Sequence, residues 1–437
     1  MRLVRYAVRG FKNLTGMVEL DELGPINILH GENNVGKSNV LQSIGWLFTL
    51  LSEKHAPAHP NDSEHQFGYA IQKGSPFQKR FVEEGVFNLR SPGPIEWKAD
   101  LFIDPADFER AGIAPTAPAT VKIAASLVDQ PAGAQFTCGF STPRAAFQGP
   151  KADALRELIV RGFAPSTRAA SAPFALVDTQ RRLWGQGAQE PAATQAIIPD
   201  SLVLALYDAR ESFEQPERAR WEAFQRAMDR LAATLGGGKI LVSFQRSPGK
   251  GVLFYERDDL RVPAHLLGTG VQQVISLAAR VVTSSAAVVA IEEPELNLRY
   301  SLQLTLREML DALVGAPSGV QQLFLTSHSP AFEHGKHFYW MRHLPDGPRV
   351  ERRPIREAAA VTAMDTMITV PEGSAVPSYV TSEGLTRLPG GVVENLRLEH
   401  GGHVYFHRPA PDGPYQFLTE EQFFALWPQG SYPGSSS

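Results

Sequence analysis

Eight consecutive residues, Gly31–Ser38, match the phosphate-binding pattern G-x-x-x-x-G-K-[ST] at every position. In such a loop, backbone N–H groups and the positive end of the following helix point at bound phosphates. Lys37 is expected to reach the β- and γ-phosphates, and the Ser38 hydroxyl is expected to bind Mg²⁺. The alternative is a glycine-bearing turn that only connects two elements. The residues that we expect to contact a nucleotide are Gly31, Asn33, Asn34, Gly36, Lys37, Ser38 and Asn39.

Two adjacent carboxylates, Glu292 and Glu293, follow the apolar run Ala286–Ile291. A carboxylate at a strand end beside a phosphate loop can hold Mg²⁺, directly or through water, or it can polarise an attacking water. We assign Glu292 to the metal and Glu293 to the base. The alternative is a pair of solvated glutamates after a strand, which the phosphate loop upstream makes less attractive.

A histidine and a second glycine-bearing turn complete the candidate chemistry. His328 follows the apolar strand Gln322–Thr326, where it could hydrogen-bond a γ-phosphate and report its presence. Gly268, Thr269 and Gly270 open another predicted helix, whose N-terminus would also suit phosphate. One chain cannot easily fold this turn onto its own phosphate loop, whereas a second copy can supply it.

The elements around these residues follow from apolar spacing. An apolar strand, Pro25–His30, precedes the phosphate loop, and a helix follows it. The helix is indicated by apolar residues at steps of three and four, namely Val40, Leu41, Ile44, Leu47, Phe48 and Leu51. Strands and helices that alternate around these residues indicate an α/β fold.

Alternation and turn residues predict the other elements. They are a strand at Ile95–Ile103, a hairpin across Ala119–Phe140, a loop-dominated stretch at 163–200, a strand at Leu202–Tyr207, a helix from near Pro216 to Gly236, a hairpin of Ile240–Gln245 with Val252–Glu256, a helix from Leu302 to Leu313, a hairpin across Lys336–Ile355 and a helix near Arg356–Met367.

Composition limits the class of protein. The 437 residues allow two or three domains, and a net charge of −4 argues against a broadly basic, nucleic-acid-coating protein. The single cysteine, Cys138, excludes an intrachain disulfide and a cysteine-rich metal site. The sequence lacks a signal peptide and any apolar run of membrane-spanning length, so we expect a soluble, cytoplasmic protein with no membrane partner.

Two groups of histidines raise the question of a metal site. His55, His59 and His65 have no cysteine or paired carboxylate at a recognisable spacing, which favours a solvated loop. A second group, His400, His403 and His407, lies in a segment with the alternation of a hairpin. We therefore favour the structural interpretation for both groups.

The order of the four motifs resembles that of ABC-type ATPases of the SMC/RecF/OLD group. The segment Ile291–Leu296, Ile-Glu-Glu-Pro-Glu-Leu, is most similar to the corresponding box of the OLD-like ATPases, and Val8–Leu14 resembles the first strand of the group. The resemblance implies a P-loop NTPase with two lobes, a mixed β lobe and a parallel sheet flanked by helices. It also implies that ATP and Mg²⁺ bind between two heads of a head-to-tail homodimer. Lys37, Glu293 and His328 would be catalytic, and hydrolysis would open the dimer.

The sequence departs from the pattern of that group in several places. A serine usually stands where Gly268 or Thr269 is found, and Thr269 could supply the hydroxyl. Asn297–Tyr300 replaces a box that is often rich in histidine. The usual glutamine of the lid cannot be assigned among Gln66, Gln72 and Gln78, and Arg210 is a candidate for an arginine often seen at a strand end.

The absence of coiled-coil arms and of a complete Toprim nuclease motif narrows the predicted function. Only about 230 residues separate the phosphate loop from Gly268, too few for long coiled-coil arms. Residues Ile368–Gly373 faintly resemble the start of a Toprim nuclease, but no Asp-x-Asp follows them. We therefore expect a chain without its own nuclease.

The predicted organisation is an ATPase head at 1–345, a small β-rich appendage at 346–430 and a disordered tail at 431–437. Within the head, 52–200 forms a lobe of strands and loops, 201–265 a strand-helix-hairpin insert and 266–345 the catalytic core. We expect a regulatory or sensor ATPase that works with a separately encoded effector, as in bacterial anti-phage defence. The alternatives are a RecF-like ATPase that binds DNA ends or junctions, and a module that binds ATP without turnover.

Overall fold

The computed structural model of the chain falls into two compact units, 1–355 and 356–437. The predicted helix near Arg356–Met367, the tail at 431–437 and five of the histidines considered above (His55, His59, His65, His400 and His403) lie outside the described residues. Those that the structure describes are 1–53, 66–87, 93–105, 107, 119–141, 152–163, 172–177, 197–245, 250–315, 319–333, 335–345, 347–353, 405–407 and 416–426.

Strands and helices are numbered here in chain order. The strands are β1 Arg2–Arg9, β2 Val18–Leu20, β3 Ile26–Gly31, β4 Gln66–Gln72, β5 Ile95–Ile103, β6 Ala119–Gln130, β7 Gly133–Ser141, β8 Phe174–Val177, β9 Lys239–Gln245, β10 Lys250–Arg257, β11 Leu260–Pro263, β12 Val288–Glu292, β13 Gln322–Ser327, β14 Phe338–Leu344, β15 Gly347–Arg352, β16 Tyr405–His407 and β17 Gln416–Leu418. The helices are α1 Lys37–Ser52, α2 Pro76–Glu83, α3 Ala152–Phe163, α4 Asp200–Glu211, α5 Gln215–Thr234, α6 Thr269–Thr283, α7 Tyr300–Leu313 and α8 Glu420–Leu426.

One sheet of the first unit is antiparallel, with strand order β2-β1-β5-β6-β7-β4. Its central strand β5 alternates between buried and more exposed side chains along its whole length. That alternation is typical of a strand with one face on the core, and it is why Ile95–Ile103 was predictable. The predicted hairpin across Ala119–Phe140 is confirmed as β6 and β7.

A second sheet has the order β15-β14-β3-β13-β12-β8, and all its neighbouring strands are parallel except the β14–β15 pair. Strands β12 and β13 are buried at every residue, as expected for strands covered on both faces. Because β3, β13 and β12 run parallel, their carboxyl ends meet at one edge of the sheet. That edge carries the phosphate loop, His328 and the two adjacent glutamates.

Helix α1 packs between the two large sheets. Its apolar residues share a core cluster with strands of the antiparallel sheet and with β8, β12 and β13 of the parallel one. The Ser43 hydroxyl also lies 2.7 Å from the Tyr6 hydroxyl of β1, and the Ser43 carbonyl accepts a hydrogen bond from Trp97 of β5 at 3.2 Å. The helix that begins at the phosphate loop is therefore fixed by both sheets. Helices α4–α7 contribute to a second core cluster on the parallel sheet.

Two sequence predictions are wrong in the insert and in the stretch before it. Leu202–Tyr207, predicted as a strand, belongs to helix α4, in which Leu202, Val203 and Leu206 are buried. A six-residue apolar run cannot distinguish a strand from one face of a helix, and tertiary packing decided here. The stretch 163–200, predicted as loop, contains strand β8, which is only four residues long and pairs with β12.

Helix α5 and its flanking hairpin follow the prediction. The helix has Pro216 in its first turn, where a missing N–H costs nothing, and three glycines with positive φ follow its end at Gly236–Gly238. Strands β9 and β10 pair as predicted, and β14 pairs with β15. The first compact unit includes this hairpin and extends to Ile355, and the domain boundary after residue 345 stays a prediction.

No helix among the described ranges combines the length and the apolar character that crossing a membrane requires.

Candidate functional site

The phosphate loop has the backbone of an anion cradle. Gly36, directly before α1, has a φ of 105° and Gly31 has a φ of 149°, both in the region that favours glycine. A Cβ at Gly31 would lie 2.3 Å from the Met341 carbonyl oxygen, and one at Gly36 would lie 2.9 Å from Leu14 Cδ2. Both positions therefore require glycine for conformation and for space. The loop directs the N-terminus of a 16-residue helix at the place where phosphate would bind.

Lys37 lies inside this loop and is only 5% exposed. Its Nζ donates hydrogen bonds to the carbonyl oxygens of Gly31 at 2.6 Å and of Glu32 at 2.8 Å. Burial lowers the pKa of the Lys37 ammonium, and the charges of Glu293 and Glu295 partly oppose that shift. The ammonium is thus a desolvated cation that a polyphosphate would stabilise, so the residues present fit a nucleotide.

A turn after β1 braces the loop, a role that sequence reasoning did not assign. The Asn13 side chain accepts a hydrogen bond from Asn39 Nδ2 at 2.7 Å and donates one to the Asn34 carbonyl at 3.3 Å. Lys12 Nζ donates to Gln42 Oε1 of α1 at 2.6 Å. Burial lowers the pKa of Lys12, and the charges of Glu84 and Glu292 oppose that shift. Lys12 therefore interacts electrostatically with Glu292, the last residue of β12. The resemblance of Val8–Leu14 to a family strand was the signal that could have revealed this brace.

The two adjacent glutamates stand at the end of β12. Glu292 is 7% exposed and is paired in register with Thr326 of β13. Glu293 is less buried and has a φ of 42°, a left-handed conformation that is uncommon for a residue with a side chain. Its backbone N–H is held by the Thr326 carbonyl at 3.0 Å and hydroxyl at 3.2 Å. The backbone therefore leaves the extended strand conformation at Glu293, directly after Glu292.

His328 lies beside a third carboxylate, that of Glu295. Glu295 Oε1 accepts hydrogen bonds from the Ser327 hydroxyl at 2.7 Å and from the His328 backbone N–H at 2.9 Å. The same oxygen lies 3.4 Å from His328 Nδ1. The Glu295 side chain is 3% exposed and the His328 side chain is 43% exposed. Sequence reasoning included Glu295 in the Ile291–Leu296 box and gave it no role.

The second glycine-bearing turn is open to solvent. Gly268 and Thr269 are exposed, and a Cβ added at Gly268 would contact nothing within 4 Å. Behind the turn, Gln272 donates to the Leu267 carbonyl at 2.7 Å and Gln273 donates to the carbonyl of Leu296. Among the described residues, no hydrogen bond joins Gly268–Gly270 to the phosphate loop. The turn is instead anchored to the segment that follows the glutamates.

A divalent cation would depend on ligands from the nucleotide. No cluster of three or more histidine, cysteine, aspartate or glutamate side chains in the described part of the chain is arranged to hold a metal ion. Ser38 at the start of α1 and Glu292 at the end of β12 are the protein groups that we expect beside Mg²⁺. Oxygens of the phosphates and water would complete the coordination.

The structure also places Arg210 and the three glutamines considered for the lid. Arg210 lies in the last turn of α4, so its predicted place at a strand end is wrong, and it donates to the Val242 carbonyl. Gln66 and Gln72 are the first and last residues of β4. Gln78 lies in α2, where its N–H is capped by the Ser75 hydroxyl at 3.2 Å. Nothing in these contacts selects one of the three as a lid residue.

Two pairs of adjacent basic residues, Lys79–Arg80 and Arg352–Arg353, could favour binding to nucleic acid, but their arginines lie beside carboxylates. Arg352 lies 2.7 Å from Glu22, and Arg353 lies 2.7 Å from Glu351. Arg80 lies 3.0 Å from Glu84. Each of these three arginines has a carboxylate partner, which weakens the case for contacts to nucleic acid phosphates.

Residues 213–332 match a family of known ATPases. The matching family model is described as "AAA ATPase domain". The matched segment contains the Gly268–Gly270 turn, Glu292, Glu293 and His328, and it begins long after the phosphate loop. None of the curated proteins matches the sequence.

SMC head domains are among the solved structures to which the chain is similar. The chain is 13% identical to the SMC head domain from Thermotoga maritima, covering 81% of this chain and 100% of that one with a TM-score of 0.43. It is 12% identical to an SmcHead bound to the C-winged helix domain of ScpA, covering 82% and 99% with a TM-score of 0.45. For an Smc head with an extended coiled coil, bound to the C-terminal domain of ScpA and derived from Pyrococcus furiosus, the identity is 12%, the coverage 80% and 96%, and the TM-score 0.41.

The fold class follows from the connections around the site. A buried parallel strand leads into the phosphate loop and α1, and the sheet places two further functional strands beside it. Together with the AAA ATPase match, this architecture is that of an α/β P-loop NTPase of the ABC-ATPase type.

Proposed function

We propose that this protein binds and hydrolyses MgATP and that ATP joins two copies of it head to tail. The observation that carries the proposal is the meeting of β3, β13 and β12 at one sheet edge. In register, His30 pairs with Ser327 and Glu292 pairs with Thr326. The residue before the phosphate loop, the residue before His328 and the first glutamate are therefore neighbours along this edge. Such an edge is where open α/β sheets bind their ligands.

Each side chain has a role in this proposal. The loop amides and Lys37 hold the triphosphate, while Ser38 and Glu292 hold Mg²⁺, which neutralises charge on the phosphates. Glu293 is the base that polarises the attacking water, and His328 contacts the γ-phosphate. The bend at Glu293 supports the separation of the two glutamate roles, because strained backbone of this kind clusters at functional sites.

The second copy supplies the Gly268–Gly270 turn. In the folded chain this turn is exposed, begins the 15-residue helix α6 and has space above Gly268. An N-terminus of this kind attracts phosphate, and the symmetry of a head-to-tail pair would place one turn over each phosphate loop. We assign Gly268, Thr269 and Gly270 to the partner's nucleotide on these grounds.

The test is nucleotide-dependent dimerisation of Glu293→Gln. Removing the base while keeping the shape of the side chain is expected to stop turnover and to leave ATP bound between the two subunits. Light scattering after gel filtration should show a dimer with MgATP and a smaller species without it. Glu308→Gln, which alters an exposed glutamate of α7, is the matched control and should behave like the wild type. A Glu293→Gln chain with the same mass in both conditions would refute the ATP-joined dimer.

The biological role in this proposal is regulatory. The similarity of Ile291–Leu296 to the corresponding box of the OLD-like ATPases supports a relationship to that group. In this proposal the protein works with a separately encoded effector, in a role such as anti-phage defence. The balanced arginine pairs described above give less support to a RecF-like DNA-binding role. The gene adjacent to this one tests the assignment, since an effector-like frame would support it and a replication or repair neighbourhood would contradict it.

A further inference from the structure

A buried histidine and a buried glutamate lie next to the phosphate loop, and neither has a role in the proposed reaction. His30 is the residue of β3 directly before Gly31, and its side chain is 4% exposed. The Glu333 side chain is 1% exposed, and its Oε1 lies 3.7 Å from His30 Nε2. The backbone N–H of Glu333 donates to the Pro330 carbonyl at 3.1 Å, which fixes this residue at the end of the short 3-10 turn after the His328 loop.

The His30 ring has apolar neighbours and incomplete hydrogen bonding. It packs against Phe338 and Trp340 of β14, with ring centroids 5.4 and 5.1 Å away. Neither ring nitrogen has a hydrogen-bond partner among the described residues. The Glu333 oxygen at 3.7 Å is beyond hydrogen-bond distance, but it is close enough for an ion pair. A neutral imidazole is therefore left unsatisfied at this place, whereas an imidazolium would have a counter-ion.

The charges around the ring act on its affinity for a proton. Burial has the largest effect and lowers the pKa of His30, because it removes the imidazolium from water. The charge of Glu333 and the backbone of Ser329 oppose that shift, whereas the positive charges of Lys37 and His328 add to it. The two β14 side chains packed against the ring are aromatic and uncharged.

Two further charged groups lie near this pair. Arg307 of α7 donates to a backbone carbonyl of the 3-10 turn at 3.1 Å, and its guanidinium stays protonated throughout the pH range of the tests below. Glu295 lies 3.4 Å from the His328 ring. Neither group is among those that shift the pKa of His30. The positive charges that oppose a proton on His30 are therefore those of Lys37 and His328, both of which we assign to the phosphates.

We propose that nucleotide binding, as in the proposed function, places a proton on His30 and forms a buried ion pair between His30 and Glu333. The charge of Lys37, whose Nζ donates to the carbonyl of the adjacent Gly31, would be compensated by the phosphates, as would that of His328. Both obstacles to a proton on the ring would then be reduced. The ion pair joins β3, which leads into the phosphate loop, to the segment after the His328 loop. Affinity for ATP is thereby linked to pH.

Calorimetry measures the proton directly. The full-length chain is titrated at pH 6.5 with Mg²⁺ and the non-hydrolysable ATP analogue adenylyl imidodiphosphate, in buffers that differ in their enthalpy of ionisation. The dependence of the binding enthalpy on the buffer gives the number of protons taken up. The wild type is expected to take up about 0.3–1 proton more per nucleotide than His30→Gln, since one ring gains at most one proton.

The matched control is His343→Gln, which changes an exposed histidine of β14 and should keep the wild-type uptake. Glu333→Gln retains the shape of the side chain and removes the counter-ion, so its uptake should fall toward that of His30→Gln. Equal uptake by the wild type and a folded His30→Gln would overturn the proposal. If neither buried variant folds, the wild type decides, because binding with an uptake below about 0.1 proton would also overturn it.

The pH dependence of affinity is a second readout with a defined sign. Because the pKa of His30 would be higher in the complex than in the free chain, affinity should be greatest where the ring is protonated and should fall as pH rises. From pH 6 to pH 7, the Kd of the wild type for the analogue is expected to increase by about 2- to 10-fold more than that of His30→Gln. A ratio of the two Kd values that does not change with pH would contradict the linkage.

These measurements separate the failure of this inference from the failure of the proposed function. A wild-type chain that does not bind the analogue would remove the proposed function and the linked proton together. Binding without the predicted uptake would remove only the His30–Glu333 linkage, and the assignments of Lys37, Glu293 and the Gly268–Gly270 turn would stand.

Discussion

Lys37 illustrates how a single side chain is prepared for its ligand. Two carbonyl oxygens hold its ammonium inside the loop, and burial makes the charge unfavourable enough to lower its pKa. The carboxylates of Glu293 and Glu295 compensate only in part. A bound polyphosphate would supply the missing negative charge, so binding and the electrostatics of the loop are coupled.

Lys37→Met is therefore expected to separate stability from binding. The stability without nucleotide should change by less than about 1 kcal/mol, because relief of ammonium desolvation offsets two lost hydrogen bonds. The affinity for ATP should fall by about 10- to 100-fold, the value of a charged hydrogen bond. Thermal unfolding with and without MgATP measures both effects. Lys98→Met, at an exposed lysine of β5, should keep the ATP-induced stabilisation of the wild type.

The lowered pKa of Lys37 should also make the free energy of unfolding depend on pH. Because the pKa of Lys37 is lower in the folded chain, the unfolded chain binds more protons between that value and the ordinary 10.5. The contribution of Lys37 to the free energy of unfolding should therefore rise with pH across this window and be complete above it. Comparing urea unfolding of the wild type and Lys37→Met from pH 7 to 10.5 isolates this contribution. A difference between them that does not grow with pH would contradict the lowered pKa.

Gly36→Ala tests the shape of the loop. Alanine at a φ of 105° is strained, and its Cβ would also meet Leu14 and Asn13 at 2.9–3.0 Å. We expect a loss of about 2–4 kcal/mol in the free energy of unfolding, the sum of strain and overpacking. Gly74→Ala is the matched control, since it has a φ of 80° with open space and should lose only about 1 kcal/mol. Equal losses at the two positions would show that the contact with Asn13 and Leu14 is unimportant.

At the scale of elements, Gln322 joins the two large sheets. Its side chain in β13 accepts from the Leu3 N–H at 2.6 Å and donates to the carbonyl oxygens of Leu3 at 2.8 Å and Gly24 at 3.0 Å. Leu3 belongs to β1 of the antiparallel sheet. These hydrogen bonds are buried, so one amide satisfies backbone groups of Leu3 between the sheets and adds a second donor to the Gly24 carbonyl, which also accepts from Asn27.

Gln322→Ala is expected to lower the free energy of unfolding by about 2–4 kcal/mol, because it removes the partner of the buried Leu3 N–H and C=O, whereas the Gly24 carbonyl keeps its hydrogen bond from Asn27. The adjacent Gln321→Ala serves as control, since Gln321 is exposed and its loss should cost less than about 0.5 kcal/mol. Urea unfolding followed by fluorescence measures both variants. A Gln322→Ala chain as stable as Gln321→Ala would show that the sheets do not depend on this contact.

Elements with long, unambiguous patterns were predictable, and short ones were not. The strand before the phosphate loop, the helices α1, α5, α6 and α7 and the strands β12 and β13 all lie where apolar spacing and turn glycines indicated them. Helix α4 was mistaken for a strand because its apolar run spans fewer than two helical turns. Strand β8 was missed because four residues gain stability only by pairing with β12, which lies more than a hundred residues later.

At the scale of the whole molecule, the proposed dimer makes each site depend on two chains. One subunit would supply Lys37 and Glu293, and its partner would supply the turn at Gly268. Each subunit would therefore carry both halves of different sites. Complementation between inactive subunits can test this sharing directly.

Lys37→Ala and Gly268→Asp are each expected to be inactive alone. In an equal mixture, half of the dimers would be mixed, and each would contain one intact site, so about a quarter of wild-type activity should return. Hydrolysis measured across mixing ratios should peak at equal amounts. The control is Lys37→Ala mixed with Glu293→Gln, because both changes then affect the same half-site and leave every mixed dimer without an intact site. Recovery in that control, or none in the first mixture, would contradict a shared site.

The sequence by itself determined the local chemistry. A phosphate loop, a pair of glutamates, a histidine after a strand and a second glycine-bearing turn were all readable, because each depends on residues that are neighbours in the chain. Their local elements were readable for the same reason, since helical and strand periodicity are properties of short segments.

Only the tertiary structure decided which strand ends are neighbours. It inserted β13 between β3 and β12, so that the His328 loop lies between the phosphate loop and the glutamates. It also brought Glu295 to His328, Asn13 to Asn39 and Gln322 to Leu3. These contacts join residues between 26 and 319 positions apart, and their partners are selected by packing in three dimensions, which no local pattern encodes.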